Sequence, residues 1–290
     1  MSDNAISATD LFQWMPEVCA IAYQAGRQIS TMYHQLEPIS VKQKSDGTPV
    51  TIADKRADDF ICQALQALTP HIPLITEESV QAVPFTTRQN WSTYWLVDPL
   101  DGTKEFIEGT GEFSVNIALI HNHQPVLGVV YGPELGNLYF SMKGQSAYKM
   151  AGLGSDFDVS NWPEIVSKAE MISVSPVAEG QTIRVAVSRR HGGMVAHFMS
   201  KLGKTKQVRM GSALKVCLVA EGQADVYPRF GPTSLWDTAA SQCILESAGG
   251  AILNAASHPL QYVQTESLLN PFFMAVGDDR YDWPHFPEIL

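Results

Sequence analysis

The stretch Trp95-Leu96-Val97-Asp98-Pro99-Leu100-Asp101-Gly102-Thr103-Lys104-Glu105-Phe106 constrains this chain more than any other. An apolar strand delivers Asp98 to its end, and Pro99 fixes a turn. Asp101 closes that turn, Gly102 allows close backbone approach, and Thr103 can open a helix. Two carboxylates on one tight turn attract hard divalent cations, which take oxygen ligands. The N–H groups of Gly102 and Thr103 are then set to face an anion, so a metal site and an anion site are adjacent by construction. A capped turn with Asp as its turn residue satisfies the same local pattern. The rest of the chain has to choose between the two.

The chain has 290 residues, enough for one large domain or two modest ones. Its formal net charge is −10 and it carries no Lys/Arg run, which argues against a nucleic acid polymer as partner. A phosphate-binding site in such an acidic protein needs local positive charge, and metal ions are the most direct source. Cys19, Cys62, Cys217 and Cys243 are too far apart in sequence for a metal knuckle or a CxxC pair. Each lies in a helix-like segment with apolar neighbours and reads as a small buried hydrophobe in a reducing compartment. The first residues carry neither the basic nor the apolar region of a signal peptide, and no apolar run reaches the ~18 residues of a membrane span. The expected location is the cytoplasm.

Val18, Ala22, Ala25, Ile29 and Met32 recur at helical spacing, with Pro16 placed in the helix's first turn. A second helix follows Thr51 and ends at Pro70, with Ala53, Ala57, Ile61 and Leu65 on its apolar stripe. Strands are expected at 73–76, 94–97, 114–120, 125–131 and 137–141, the third and fourth forming a hairpin. Residues 151–164 are polar and Gly/Asp/Ser-rich, and we place a subdomain boundary there. Beyond it, strands at 184–188 and 225–227 alternate with helices at 193–202, 212–222 and 235–248, the last stopped by Gly249-Gly250. The expected architecture is layered α/β: an N-terminal α+β subdomain over 1–160 and a C-terminal α/β subdomain over 161–290, packed as one compact unit.

Two further acidic sites bear on the first turn. Glu77 and Glu78 end a short strand, where solvated loop charge is the usual reading. Asp237, in Leu235-Trp236-Asp237-Thr238, lies in an apolar helical run, where local sequence reads it as a helix N-cap. Taken in order, Val50-Thr51-Ile52-Ala53-Asp54, Glu77-Glu78, Asp98-Pro-Leu-Asp101-Gly-Thr103 and Trp236-Asp237 resemble the signature of the inositol monophosphatase-like superfamily, over nearly the whole chain. Asp101-Gly-Thr-Lys104-Glu-Phe106 is similar to the version of that motif in its bisphosphate nucleotidase, or CysQ-type, branch. So are Gly111 to Ile120, Gly211 to Lys215, Val219 to Gly222, Tyr227 to Pro232 and Glu266 to Pro271. Ser188-Arg-Arg-His191 departs from the commoner Ser-Arg-Ser-His, and the N-terminus is longer than that branch leads us to expect.

The resemblance implies the family's alternating α-β-α-β-α layers and two or more Mg²⁺ ions. Glu77, Asp98 and the carbonyl of Leu100 would hold one ion, and Asp98, Asp101 and Asp237 a second. Thr103, oriented by Asp54, would act with Glu77 to position and deprotonate the attacking water in an in-line displacement. The implied reaction is removal of the 3′-phosphate of 3′-phosphoadenosine 5′-phosphate (PAP) to give AMP, with the sulfated analogue PAPS as a further substrate. Gly102, Thr103, Lys104, His191, Ser212, Lys215 and Asp237 are the candidate substrate contacts, with Arg189 beside them. Each of these cations also has a plainer reading as a solvated surface charge. An inositol or sugar phosphatase of the same mechanism and a non-catalytic nucleotide sensor are the alternatives. A haloacid dehalogenase-type phosphatase needs its acid/base Asp two residues after the nucleophile, and the Asp98–Asp101 spacing removes that geometry. The resemblance leaves open peripheral attachment to the cytoplasmic face of the inner membrane, and the sequence leaves monomer and homodimer undecided.

Overall fold

In the computed structural model the described residues are 6–35, 41–43, 49–154, 161–189 and 192–284. The chain opens on α1 (Ala8–Tyr33), followed by a two-strand ribbon, β1 (Val41–Gln43) and β2 (Pro49–Thr51), and α2 (Ile52–Leu68). Then come β3 (Leu74–Thr76), α3 (Phe85–Arg88), β4 (Thr93–Asp101), α4 (Thr103–Ile107), β5 (Ser114–His121), β6 (Gln124–Gly132), β7 (Asn137–Met142) and β8 (Ala147–Met150). α5 (Trp162–Ser167) and β9 (Glu170–Ile172) follow. The last part holds β10 (Ile183–Val187), α6 (Gly193–Lys201), β11 (Thr205–Arg209), α7 (Leu214–Ala220), β12 (Val226–Arg229), α8 (Ala239–Ser247), β13 (Ala251–Asn254) and β14 (Phe273–Val276).

Among the described residues β3 to β9 form one sheet in chain order, all antiparallel except the parallel pair β3 and β4. The second sheet runs β11-β10-β12-β14-β13, with its first three strands parallel. α1 and α2 cover one face of the first sheet. α7 and α8 fill the space between the sheets, and α6 covers the outer face of the second. This is the expected α-β-α-β-α layering. Its cause is visible along β4, which is buried on both faces. Trp95 and Val97 enter the core under α1 and α2, and Tyr94 and Leu96 the core under α7 and α8, as the two-residue period of a strand requires. The first sheet draws on residues past 160: β9 pairs with β8, and Trp162 of α5 joins the core beneath α1.

Several elements differ from the sequence reading for physical reasons. α1 begins at Ala8, so Pro16 lies inside it and not in its first turn. A capping box between Ser7 and Asp10 starts the helix there, with Asp10 N donating to Ser7 Oγ (3.2 Å) and Ser7 N donating to Asp10 Oδ2 (2.9 Å). Pro16 deprives only the Phe12 carbonyl of its helical donor, and Phe12 stands on the solvent side. The run 235–248 is a short 3₁₀ turn, Leu235–Asp237, and then a separate α8. The edge strands β9, β11 and β13, and the interior strands β8 and β14, have no counterpart in the sequence reading. His121 ends β5, with its Nδ1 2.7 Å from Thr93 Oγ1 on the neighbouring strand. All four cysteines lie in helices and are free thiols; Cys19, Cys217 and Cys243 are buried as expected, whereas Cys62 is only partly buried.

Candidate active site

The end of β4 assembles the acidic group. In register with β5, Asp98 stands across from Asn116 and Asp101 from Ser114, with a bulge between the two aspartates. Asp98 Oδ1 accepts from the Leu100 N–H (3.0 Å), which folds the turn onto its own carboxylate. Gly102 then takes φ +93°, a left-handed conformation that side-chain-bearing residues rarely adopt, and α4 starts at Thr103. β3 runs parallel to β4 with Thr76 paired to Val97, so the next residue, Glu77, arrives beside Asp98; its N–H donates to the Val97 carbonyl (3.2 Å). Asp237 comes from a distant part of the sequence, on a 3₁₀ turn (Leu235–Asp237) that packs against β4. It is the third residue of a capping box headed by Ser234, whose N–H donates to Asp237 Oδ2 (2.9 Å), so the N-cap is Ser234 and not Asp237.

The charges of these groups act on one another. Burial, then the charges of Glu77, Asp101 and Asp237, push the Asp98 carboxyl well above the usual carboxylate range. Burial, then Asp101, does the same to Asp237. Burial also raises Asp101, against which Lys215 and hydrogen bonds from Asn116 and Ala213 act. Among the described residues no three His, Cys, Asp or Glu side chains stand around a common point at ligand spacing. The donor set is entirely oxygen: Glu77, Asp98, Asp101, Asp237 and the Leu100 carbonyl. That chemistry fits a hard cation such as Mg²⁺, whose charge would remove the repulsion.

Asp54 and Thr103 meet in the same region. Asp54 belongs to the capping box of α2, where its Oδ2 accepts from both N and Oγ1 of Thr51 (2.7 Å each). Its other oxygen, Oδ1, accepts from Thr103 Oγ1 (3.0 Å). A residue that caps one helix thus orients the hydroxyl that opens another.

Next to the carboxylates is a cleft of about 280 Å³ lined by Asp101, Lys104, Ser212, Lys215, Arg229 and Asp237, with Gly102 at its wall. Lys215 is buried on α7 (6% exposed); its Nζ donates to the Ser212 carbonyl (2.6 Å) and lies 5.2 Å from the Tyr227 ring centroid. Lys104 is exposed at the rim on α4. Ser212 holds a left-handed backbone (φ +49°). It follows Gly211, where an added Cβ would stand 2.3 Å from the Glu112 carbonyl oxygen. His191 lies outside the described residues. Arg189 is engaged elsewhere, in a two-point pair with Glu112 (3.1 and 2.5 Å). The sequence reading gave Arg229 no role, although it noted the Tyr227-Pro-Arg229 motif. Its side chain lines the cleft, donates from Nη2 to the Pro232 carbonyl (2.9 Å), and keeps a buried Nε without a protein partner. Alternation from Tyr227 along β12 was the available signal.

Two layered sheets, helices between and outside them, and an acidic turn at a strand end define a phosphomonoesterase fold of known type. The chain belongs to the inositol monophosphatase family, whose sequence profile matches residues 12–276. Within that family it is similar to proteins named 3′(2′),5′-bisphosphate nucleotidase CysQ. It is 42% identical to that of Salmonella typhimurium strain LT2 and 40% identical to that of Escherichia coli K12, each over 260 residues, 89% of this chain and 98% of the relative. The crystal structure of CysQ from Bacteroides thetaiotaomicron superposes with a TM-score of 0.80 at 36% identity, covering 93% of this chain and 98% of that one. The inositol monophosphatase of Thermotoga maritima shares the fold at 21% identity, with a TM-score of 0.70.

Proposed function

We propose that this chain is a Mg²⁺-dependent 3′(2′),5′-bisphosphate nucleotidase that hydrolyses the 3′-phosphate of PAP to AMP and phosphate, and that also accepts PAPS. The observation that carries this reading is the pairing of a carboxylate cluster with a cation-bearing cleft. Asp101 and Asp237 form one wall, and Lys104, Lys215 and Arg229 supply charge for a second, retained phosphate. A buried lysine in the same cleft as Asp101 and Asp237 favours a substrate with an anionic group beyond the reacting phosphate.

Glu77, Asp98, the Leu100 carbonyl, Asp101 and Asp237 would hold two or more Mg²⁺. When bound, the ions neutralise charge on the transferring phosphate and make water a better nucleophile. Asp54, fixed by Thr51, takes the hydroxyl hydrogen of Thr103, so Thr103 Oγ1 presents its lone pairs and acts as an acceptor for the attacking water. Glu77 is the carboxylate available to take the water's proton. Phosphoryl transfer depends on positioning and charge neutralisation, so no side-chain nucleophile is needed. Lys215, braced on Ser212 and on the Tyr227 ring, holds the 5′-phosphate, with Lys104 at the rim. No helix among the described residues is long and apolar enough to cross a membrane.

The test is phosphate release from PAP, PAPS and inositol 1-phosphate, each with Mg²⁺, with EDTA, and with Mg²⁺ plus Li⁺. The reading requires fast, Mg²⁺-dependent, Li⁺-inhibited release from the bisphosphate nucleotides. Release confined to inositol 1-phosphate would keep the metal chemistry and overturn the role given to Lys104 and Lys215. No release from any of the three would leave the nucleotide-sensor alternative.

A further inference from the structure

Asp101 is held by more than its place in the turn. Its Oδ2 accepts two hydrogen bonds, from the Ala213 N–H (2.6 Å) and from Asn116 Nδ2 (3.2 Å). Asn116 lies on β5, directly across from Asp98, and is 1% exposed. Its own Oδ1 accepts from Ser114 Oγ (2.9 Å), and Ser114 is fully buried. The order of donors in this chain is forced. A carboxylate has no hydrogen to give, so Asn116 must turn its amide nitrogen toward Asp101. That leaves the Asn116 oxygen buried and in need of a donor, which the Ser114 hydroxyl supplies.

The consequence falls on the other oxygen. With Oδ2 occupied by two protein donors, Asp101 cannot swing, and Oδ1 is the atom it has left for a cation. The same Oδ2 ties the 211–215 segment, which bears Ser212 and Lys215, to the acidic turn through Ala213. We propose that Asn116, seated by Ser114, is a positioning residue for Mg²⁺ binding at Asp101: it occupies Oδ2 and so aims Oδ1 at the metal. The proposal rests on the reading of Asp101 as a Mg²⁺ ligand. It differs from the plain alternative, a satisfied polar network that only supports the fold, in what it does to metal affinity.

The experiment is a Mg²⁺ titration of the whole purified chain followed by melting temperature, with Asp101→Asn, Asn116→Ala, Ser114→Ala and Ser114→Thr beside the wild type. Loss of an outer partner of a ligating carboxylate raises the Mg²⁺ midpoint about tenfold in Asn116→Ala. Ser114→Ala, which leaves the amide in place but loosens it, raises the midpoint about threefold, and Ser114→Thr, which restores the hydroxyl, returns it to within about twofold of wild type. In Asn116→Ala, kcat on PAP recovers at saturating Mg²⁺. A purely structural role would lower the metal-free melting temperature and leave the midpoints alone. Should Asn116→Ala not fold, the Ser114 pair decides. Midpoints within about twofold of wild type in both alanine variants, or Ser114→Thr no better than Ser114→Ala, would overturn the proposal while the metal reading stands. Asp101→Asn with undiminished Mg²⁺ stabilisation would remove the metal reading first, and this proposal with it.

Discussion

The turn carrying Asp98 and Asp101 and the segment carrying Ser212, Lys215, Arg229 and Asp237 are built in opposite ways. The turn is local. Asp98 binds the N–H of Leu100, and Gly102 with its positive φ ends the strand and starts α4. The second segment is assembled across the chain. Ala213 leans on Asp101, Gly211 presses against the Glu112 backbone, and Leu235 N–H donates to the Leu268 carbonyl (2.8 Å). Asn270 Nδ2 clamps the Asp237 turn by donating to the Ser234 carbonyl (2.6 Å) and Thr238 Oγ1 (3.1 Å). On the proposed function, the local turn carries the chemistry of phosphate-ester hydrolysis, while the assembled segment adds Asp237 to that chemistry and, through Lys215 and Arg229, the choice of ester. Substitutions at Thr103 in the turn region and at Lys215 in the assembled segment should therefore divide between turnover and selectivity.

The largest separation is expected at Thr103. Thr103→Val keeps the shape and removes the hydroxyl that Asp54 orients, so kcat on PAP falls by about a hundredfold or more while KM moves little; single-turnover and steady-state phosphate release read both. A matching loss on a substrate without the 5′-phosphate places the effect in the turn's chemistry. Lys215→Met keeps the buried stem and removes the charge. A charge-assisted contact of about 1.5–3 kcal/mol corresponds to a loss of about ten- to a hundredfold in kcat/KM for PAP. Adenosine 3′-monophosphate, which lacks the second phosphate, should be almost unaffected. Equal losses on both substrates would erase the division between the regions.

Gly211→Ala drives a methyl group toward the Glu112 carbonyl oxygen, and the segment must move. Overpacking of about 1–3 kcal/mol should lower the melting temperature and reduce kcat/KM for PAP about tenfold. Arg189→Ala is the smallest effect. Its side chain is 47% exposed and already paired with Glu112, so PAP kinetics should change by less than about threefold. A large rise in KM would return Arg189 to the substrate site.

The same contrast explains what could be read from sequence. The layered fold, both long helices and the central hairpin follow from periodicities within single segments. So does the acidic turn, because Asp98, Pro99, Asp101 and Gly102 carry their geometry in adjacent residues. Family resemblance brought Asp54, Glu77 and Asp237 to that turn; nothing in their own neighbourhoods did, and Asp237 alone reads as a cap. Asn116 and Arg229 went unassigned because each takes its meaning from a residue far along the chain: Asp101 through cross-strand register, and the cleft wall through alternation on β12. β13 and β14 are four-residue strands, β13 packed against α8 and β14 against α7, contacts that no local pattern records.

The central claim is that Asp237, brought in by the assembled segment, completes the metal centre begun by the local turn. The direct measurement is the Mg²⁺-dependent rise in melting temperature of Asp237→Asn against wild type, with Asp98→Asn as the turn's own control. If both regions share the cations, each variant loses most of that rise and most of its phosphate release from PAP. Full Mg²⁺ stabilisation of Asp237→Asn, with activity lost, would contradict the account and leave Asp237 on the substrate alone.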